Sequence, residues 1–141
     1  MQVGKFTQSL LVTHPEDTKF ENTGLRPQFA YRELNVDAAT GGEFNAHVIR
    51  GVPDGKPPIE EHKHTELDFL FVYVIKGSIS FWYEGHGTHT LKAGSCHVIP
   101  PGLIHSVTDW SEDLEMIEVT SPGKYRTIET AGGKEKIGEP A

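Results

Sequence analysis

The sequence predicts a single all-β domain, a sandwich or barrel built from short strands. No long stretch of the 141 residues repeats its apolar side chains at the 3.6-residue period of a helix. Short runs rich in β-branched and aromatic residues instead alternate with turns rich in Gly, Pro and Asp, which is the pattern of a sandwich or barrel. The nine predicted strands are 28–36, 44–51, 59–65, 69–76, 78–84, 88–92, 95–99, 104–109 and 113–120.

The turns between these runs favour the same fold class. Gly77 separates two of the runs, and residues 84–87 (Glu-Gly-His-Gly) close a hairpin. Residues 100–102 (Pro-Pro-Gly) predict a corner, since proline cannot donate to a strand ladder. The run 69–75 is apolar on both faces, which predicts an interior strand with one face toward the lumen and the other against a second sheet or a second subunit.

The ends of the chain are less regular than its middle. Residues 1–25 are mixed in character and predict an N-terminal arm, and residues 124–141 are polar and weakly patterned, which predicts a loose C-terminal tail. Residues 26–123 then form the barrel. We find no internal repeat, and the length is that of one ordinary domain.

Composition limits the classes of binding partner and the cellular location that we expect for this protein. The net charge is -7, which argues against nucleic acid, because phosphate binding needs a basic patch. Cys96 is the single cysteine, so no internal disulfide is possible, and we expect it to be a small core residue. The first residues lack the features of a secretory leader, and no apolar run is long enough for a membrane helix. A cytoplasmic protein with no membrane partner is the expectation.

The histidines supply the first indication of chemistry. His62 and His64 are two residues apart in a predicted strand, so both imidazoles project from the same face. Two neutral imidazoles side by side make half of a metal site. Such pairs are also common on exposed strand ends, so the interpretation depends on a second group of ligands elsewhere in the chain.

That second group lies in residues 94–109, which read as a strand, a sharp corner and a second strand that begins near His105. With these residues the chain resembles the cupin superfamily, whose signature has two blocks. The similarity covers about residues 44–120. The matching positions are His62, His64 and Gly77 in the first block and Gly94, Pro100, Gly102 and His105 in the second, with Asp109 where the family has Asn.

The resemblance implies a cupin β-barrel (a double-stranded β-helix, or jelly roll) preceded by the N-terminal arm. It also implies one divalent metal ion held by His62, His64 and His105. Fe(II) is the favoured ion, although zinc, manganese and nickel also suit imidazole ligands.

The carboxylate ligand of the family is missing from its usual place. In the family this ligand is separated from the Gly77 position by six residues, which places it at Leu70; strand parity supports this register because His62, His64 and Leu70 are all even-numbered. Asp68 has the right spacing from His64 but lies two residues too early relative to Gly77. Either Asp68 reaches the metal through a bulge, or the site has three histidines and no carboxylate, which we favour over Asp68 and, still less favoured, Glu66.

Three neutral imidazoles leave the charge of a divalent ion uncompensated, so the site should favour an anionic ligand. The resemblance then implies an enzyme acting on a small anionic organic molecule, most simply a three-histidine Fe(II) dioxygenase or oxidoreductase. An isomerase or lyase on the same site is the first alternative. A non-catalytic cupin that binds or senses a small ligand is the second, favoured by Leu70 at the family's Glu position.

The sequence also predicts catalytic roles or exposure for several further residues. His97 is the candidate catalytic acid or base, with Asp68 as the second catalytic candidate, and His47 is a similar candidate to His97. His86 and His89 flank a turn and should be exposed. Glu115 and Glu118 are plausible hydrogen-bond partners of a ligating imidazole, although we favour exposure for both. An apolar outer face on the strand 69–75 predicts a homodimer, because such a face is unfavourable in water.

Overall fold

The computed structural model describes residues 3–22 and 26–138, which form two antiparallel sheets and very little helix. Residues 1, 2, 25 and 139–141, which bound the predicted arm and tail, lie outside the described residues. The helical parts are α1 (Val36–Ala39) and a 3₁₀ turn (Ala131–Gly133), and no described helix has the length and apolarity needed to span a membrane. The strands are β1 Phe29–Glu33, β2 Asn45–Gly51, β3 Ile59–Lys63, β4 Phe69–Lys76, β5 Ser78–Tyr83, β6 Gly87–Lys92, β7 Cys96–Val98, β8 His105–Trp110, β9 Glu115–Ser121, β10 Ile128–Glu129 and β11 Lys136–Ile137.

The two sheets pack face to face around one apolar core. One has the order β1-β2-β9-β4-β7 and the other β11-β10-β3-β8-β5-β6. Val72 and Val74 of the first sheet and Ile79 of the second are each at most 2% exposed and belong to the same cluster of buried side chains. The all-β architecture predicted from the sequence is confirmed.

Each of the nine predicted strands corresponds to one of β1–β9. β4 lies between β9 and β7; its even-numbered apolar side chains Leu70, Val72 and Val74 are buried, while its odd-numbered ones are exposed or half-buried. β5 and β6 form the predicted hairpin. Gly77 joins β4 to β5 with φ +74°, and a side chain there would meet Ser111 and Asp113, so glycine is required at this turn.

The N-terminal arm crosses the outside of the β1–β2 edge. Its contacts are spread along the segment: the Phe6 and Phe44 rings lie 5.7 Å apart, the Ser9 amide donates to the Ala39 carbonyl, and the Arg50 guanidinium sits 4.0 Å from the centre of the Phe20 ring. Leu10 and Val12 remain 93% and 64% exposed. The arm therefore covers one edge of the first sheet and leaves the outer face of β4 uncovered.

The C-terminal stretch packs more closely than its polar composition predicts. β10 pairs with β3, placing Ile128 opposite Lys63 and Glu129 opposite His62. Thr127 is 2% exposed, among the least exposed side chains of the core. This ordered packing differs from the loose tail expected after residue 123; the division into 1–25, 26–123 and 124–141 stays a prediction. Cys96 also differs from expectation: it is exposed, because the inward face of β7 is occupied by His97.

Candidate metal site

Three histidines converge inside the second sheet. His62 and His105 face each other directly across the β3–β8 ladder, and His64 follows two residues after His62 on the same side. Their ring centres are 4.2 Å (His62–His105), 5.2 Å (His62–His64) and 5.3 Å (His64–His105) apart. One ligand nitrogen from each ring lies within 4.8 Å of the others, and all three side chains are buried. Strand pairing and side-chain alternation thus bring together the three residues proposed as ligands.

Each of these rings has one nitrogen occupied by the protein. Nδ1–H of His62 donates to the Glu60 carbonyl at 2.8 Å, and Nδ1–H of His105 donates to the Leu103 carbonyl at 2.9 Å. Nδ1 of His64 lies 3.2 Å from the Thr127 hydroxyl. The two bonds to carbonyl oxygens fix the tautomers of His62 and His105, and the Thr127 contact orients the His64 ring, so Nε2 of each ring is the nitrogen free of these contacts and available to a metal ion.

Burial keeps the three rings neutral. Burial, followed by the charges of His105 and Arg26, lowers the pKa of His62 to about 2. The same causes, with burial the largest, lower the pKa of His64 to about 4, and burial lowers that of His105. Neutral imidazole is the form that ligates metals, so the donor set fits a divalent ion at neutral pH.

The Pro-Pro-Gly corner holds His105 against His64. Gly102 has φ +86°, a conformation that favours glycine, and its amide donates to the His64 carbonyl at 2.7 Å. The corner thus links the segment that carries His64 to the strand that begins at His105. This explains in physical terms why the two sequence blocks occur together.

A cavity lies beside the triad, between the two sheets. Its walls are largely apolar, and the space open to the centres of water molecules is about 90 Å³. The cavity therefore suits a small molecule. The charged side chains among its walls are Arg26, His47 and Glu118.

The comparisons with known proteins agree with this architecture. The sequence profile described as the cupin domain matches residues 48–120, slightly more than half of the chain. The chain belongs to the cupin family. No curated protein shows significant sequence similarity to this cupin.

Solved structures with similar folds come from proteins of differing activity. A sugar phosphate isomerase of the cupin superfamily from Silicibacter pomeroyi has a TM-score of 0.65 at 14% identity, with 93% of this chain and 92% of that chain covered. The polyketide cyclase RemF from Streptomyces resistomycificus gives 0.63 at 17% identity, covering 93% and 85%. The FeII form of HppE gives 0.61 at 14% identity, covering 82% and 62%. At these identities the likeness shows the fold alone.

The carboxylates expected near the first block do not join the triad. Leu70 is 3% exposed and lines the cavity, which agrees with its place in the register. Asp68 is exposed and is not among the cavity walls. Glu66 is also exposed and bonds to the backbone and side chain of Arg126. In the described part of this cupin, the cluster able to hold a metal contains the three histidines alone.

His97 enters the cavity as part of a hydrogen-bonded pair. Its Nδ1 lies 2.8 Å from the Tyr83 hydroxyl, and its ring packs edge-on against Phe81 with centres 4.5 Å apart. Burial, then the charge of His105, lowers the pKa of His97 to about 4, while burial raises that of Tyr83 to about 12. Both groups are therefore neutral at pH 7. His86 and His89, as predicted, are exposed.

Glu118 is a cavity residue that sequence reasoning placed at the surface. Its side chain is 17% exposed, and its Oε1 accepts a hydrogen bond from His47 Nε2 at 2.8 Å. His47 Nδ1–H donates to Glu33 at 3.1 Å. Burial opposes the charged form of His47, but these bonds outweigh it and raise the His47 pKa to about 10. Burial likewise opposes ionisation of Glu118, and the bond and charge of His47 bring its pKa below the usual range.

A sequence signal for Glu118 existed in the alternation of β9. Met116 and Thr120 are 3% and 4% exposed, so Glu118 shares the inward face with them. Tyr125, whose ring meets His64 edge-on at 5.1 Å, and Thr127 had no such signal. They reach the site through the pairing of β10 with β3, which a short polar segment does not predict.

Proposed function

We propose that this cupin is a metal-dependent enzyme that acts on a small anionic organic substrate, with His62, His64 and His105 holding one divalent ion. The observation that carries the proposal is the state of the triad: three buried, neutral imidazoles, each anchored through Nδ1, beside a small apolar cavity. Three neutral ligands leave the charge of the ion uncompensated, and this favours binding of an anion.

Fe(II) is the ion we favour, and a dioxygenase or related oxidoreductase is the activity we favour. A facial set of three protein ligands leaves positions open for a substrate and O2. Divalent iron supplies Lewis acidity and O2 activation when it is bound. One protein with a similar fold is described as an FeII form. Zinc, manganese and nickel remain compatible with the same ligands.

In this proposal, the protein's own side chains provide a hydrogen-bond donor to the substrate and an apolar cavity around it. With the Tyr83 hydroxyl donating to His97 Nδ1, the Nε2–H of His97 is a hydrogen-bond donor on the cavity side of the triad. The low pKa of His97 keeps this ring uncharged. Apolar walls exclude bulk water and so strengthen each polar contact made by a bound substrate.

The second candidate is an isomerase or lyase, and the Glu118 carboxylate is the observation that favours it. Glu118 lines the cavity and is held ionised by the His47 imidazolium, as a general base requires. Glu118 would take a proton from one carbon of the substrate and return it to another atom of the substrate, while the Nε2–H of His97 would donate a hydrogen bond to the oxygen that gains negative charge. The sugar phosphate isomerase and the polyketide cyclase are proteins of similar fold with such activities in their names.

One experiment separates the two candidates. Protein loaded with Fe(II) is offered β-diketones, thiols and small organic acids, first in an oxygen electrode and then without O2 in D2O, where NMR follows deuterium uptake. A dioxygenase consumes O2. An isomerase or lyase exchanges substrate protons without O2, and Glu118→Gln lowers this rate about 10²- to 10⁴-fold, the range for loss of a general base.

Glu115→Gln is the matched control, because Glu115 lies on the same strand and pairs with Arg50, away from the cavity. It should leave both rates unchanged. If metal-loaded protein shows no O2 uptake and no proton exchange with any compound of the panel, the enzyme proposal is contradicted, and a cupin that binds a small ligand remains.

We also propose that the protein is a homodimer that buries the outer face of β4 and β7. Tyr73, Ile75 and Val98 are 42%, 47% and 56% exposed there, and a contiguous apolar surface of this kind marks an interface. Sedimentation at micromolar concentration should give a dimer, and Val98→Lys should give a monomer. Val12→Lys, which changes an exposed valine of the arm, should leave the dimer intact; a monomeric wild type would contradict the proposal.

A further inference from the structure

Arg26 has a charged donor without a partner. Its side chain is 17% exposed, and its Nη1 lies 3.0 Å from Glu129 Oε1. Its Nη2 is shielded from solvent and has no hydrogen-bond partner among the described residues. A buried polar group left unpaired loses its hydration without compensation, and the loss is larger for a charged group. The unpaired nitrogen therefore needs a partner.

The position of Arg26 shows where that partner would lie. Arg26 lines the same cavity as the histidine triad. Its ion-pair partner, Glu129, stands directly opposite His62 in the β10–β3 ladder. The guanidinium is therefore held at the His62 end of the cavity. A molecule that reaches the metal position has this charge beside it.

The other cation of the cavity is already satisfied. His47 uses one ring nitrogen on Glu118 and the other on Glu33. Arg26, in contrast, uses Nη1 on a single carboxylate. Arg26 is thus the cation lining the cavity that retains a donor for a ligand.

We propose that Arg26 binds a second anionic group of the substrate, and that the substrate is a small organic acid with two carboxylates. This rests on the proposed function, in which one end of the same molecule meets the metal. Guanidinium groups recognise carboxylates through charge-assisted hydrogen bonds. A short dicarboxylate also suits the small size of this cavity, about 90 Å³.

Calorimetric titration of zinc-loaded protein tests the inference, since zinc is redox-inert. The probes are acetate, malonate, succinate and glutarate, which differ in the number of carboxylates and in their separation. One of the dicarboxylates should bind wild-type protein about 10- to 100-fold more tightly than acetate, as expected for one added hydrogen bond to a charged group. Arg26→Gln should abolish this preference. Arg50→Gln, at an arginine outside the cavity, should retain it.

Glu129→Gln separates ligand binding from a purely structural ion pair. This variant breaks the same ion pair as Arg26→Gln but frees Nη1, so dicarboxylate affinity should hold or rise. Equal loss of affinity in both variants would overturn the inference, as would equal affinities for acetate and every dicarboxylate in the wild type. Circular dichroism and thermal melting confirm that each variant is folded.

A protein that binds no metal, which would contradict the proposed function, is distinguished from one in which Arg26 binds no carboxylate. If the protein binds no divalent ion, dicarboxylates added to the metal-free protein should still perturb the NMR signal of the Arg26 guanidinium, and Arg26→Gln removes that signal. Metal binding without any dicarboxylate preference would overturn the inference about Arg26 alone.

Discussion

Protein carrying both His62→Ala and His105→Ala is expected to contain no divalent metal, whereas wild-type protein purified without chelators or a histidine tag contains close to one ion per chain. The variant removes two of the three nitrogens that converge in the triad. The single remaining imidazole, that of His64, binds a divalent ion too weakly to retain it during purification. Elemental mass spectrometry of both proteins measures the difference.

Stability should follow the metal content. An ion that binds the folded state alone stabilises it by about 4 kcal/mol at 1,000 times its dissociation constant, which corresponds to a melting temperature higher by roughly 10 °C for a domain of this size. This shift should be absent in the double variant. His86→Ala combined with His89→Ala is the matched control, because it removes two exposed histidines outside the triad.

The identity of the ion then directs the next step. Near-stoichiometric iron supports the oxygenase, and zinc or manganese supports isomerase or lyase chemistry. Wild-type metal no higher than that of the triad variant, even after reconstitution, would contradict the metal-dependent enzyme.

His47→Leu is expected to lower the free energy of unfolding by about 3–5 kcal/mol, because it leaves the Glu118 carboxylate largely buried without its partner. His47→Leu combined with Glu118→Leu should recover much of the loss, since removal of both members of a buried pair is often neutral. Urea denaturation of the three proteins at pH 6 measures the effect. Equal stability of wild type and His47→Leu would contradict this account of the pair.

The pH dependence of this effect has a definite sign. The His47 pKa is raised from 6.5 to about 10 on folding, so its contribution is complete below pH 6.5 and is lost as the pH rises through 10. The Glu118 pKa is lowered from 4.5, so its contribution is present above pH 4.5 and is lost at more acid pH. The difference between wild type and His47→Leu should therefore be largest between about pH 4.5 and 6.5.

The sequence was sufficient for the parts of the site that depend on strand alternation and short motifs. The same-face spacing of His62 and His64, and the corner that leads to His105, come from local rules of backbone geometry. The parity argument for Leu70 also holds in the structure, where its side chain lines the cavity. These features need no knowledge of which strands are neighbours.

The remaining features depend on contacts between residues far apart in the sequence. Glu118 is ionised inside the cavity because His47, 71 residues away, bonds to it. Thr127 reaches His64 across 63 residues. Arg26 meets Glu129 because a short polar strand near the end of the chain joins the second sheet. Composition and periodicity do not encode these pairings, so the sequence alone left Glu118 at the surface and residues 124–141 as a tail.

The histidine triad and the proposed acid–base residues of the cavity lie on different sheets, and this affects how the site can change by substitution. The three histidines of the triad lie on or beside β3 and β8 of one sheet, whereas His47, His97 and Glu118 belong to β2, β7 and β9 of the other. Substitutions on the second set of strands can replace the proposed acid–base groups without disturbing the strands that carry the proposed ligands. The proposed ion binding and the proposed acid–base chemistry can therefore change independently in this architecture.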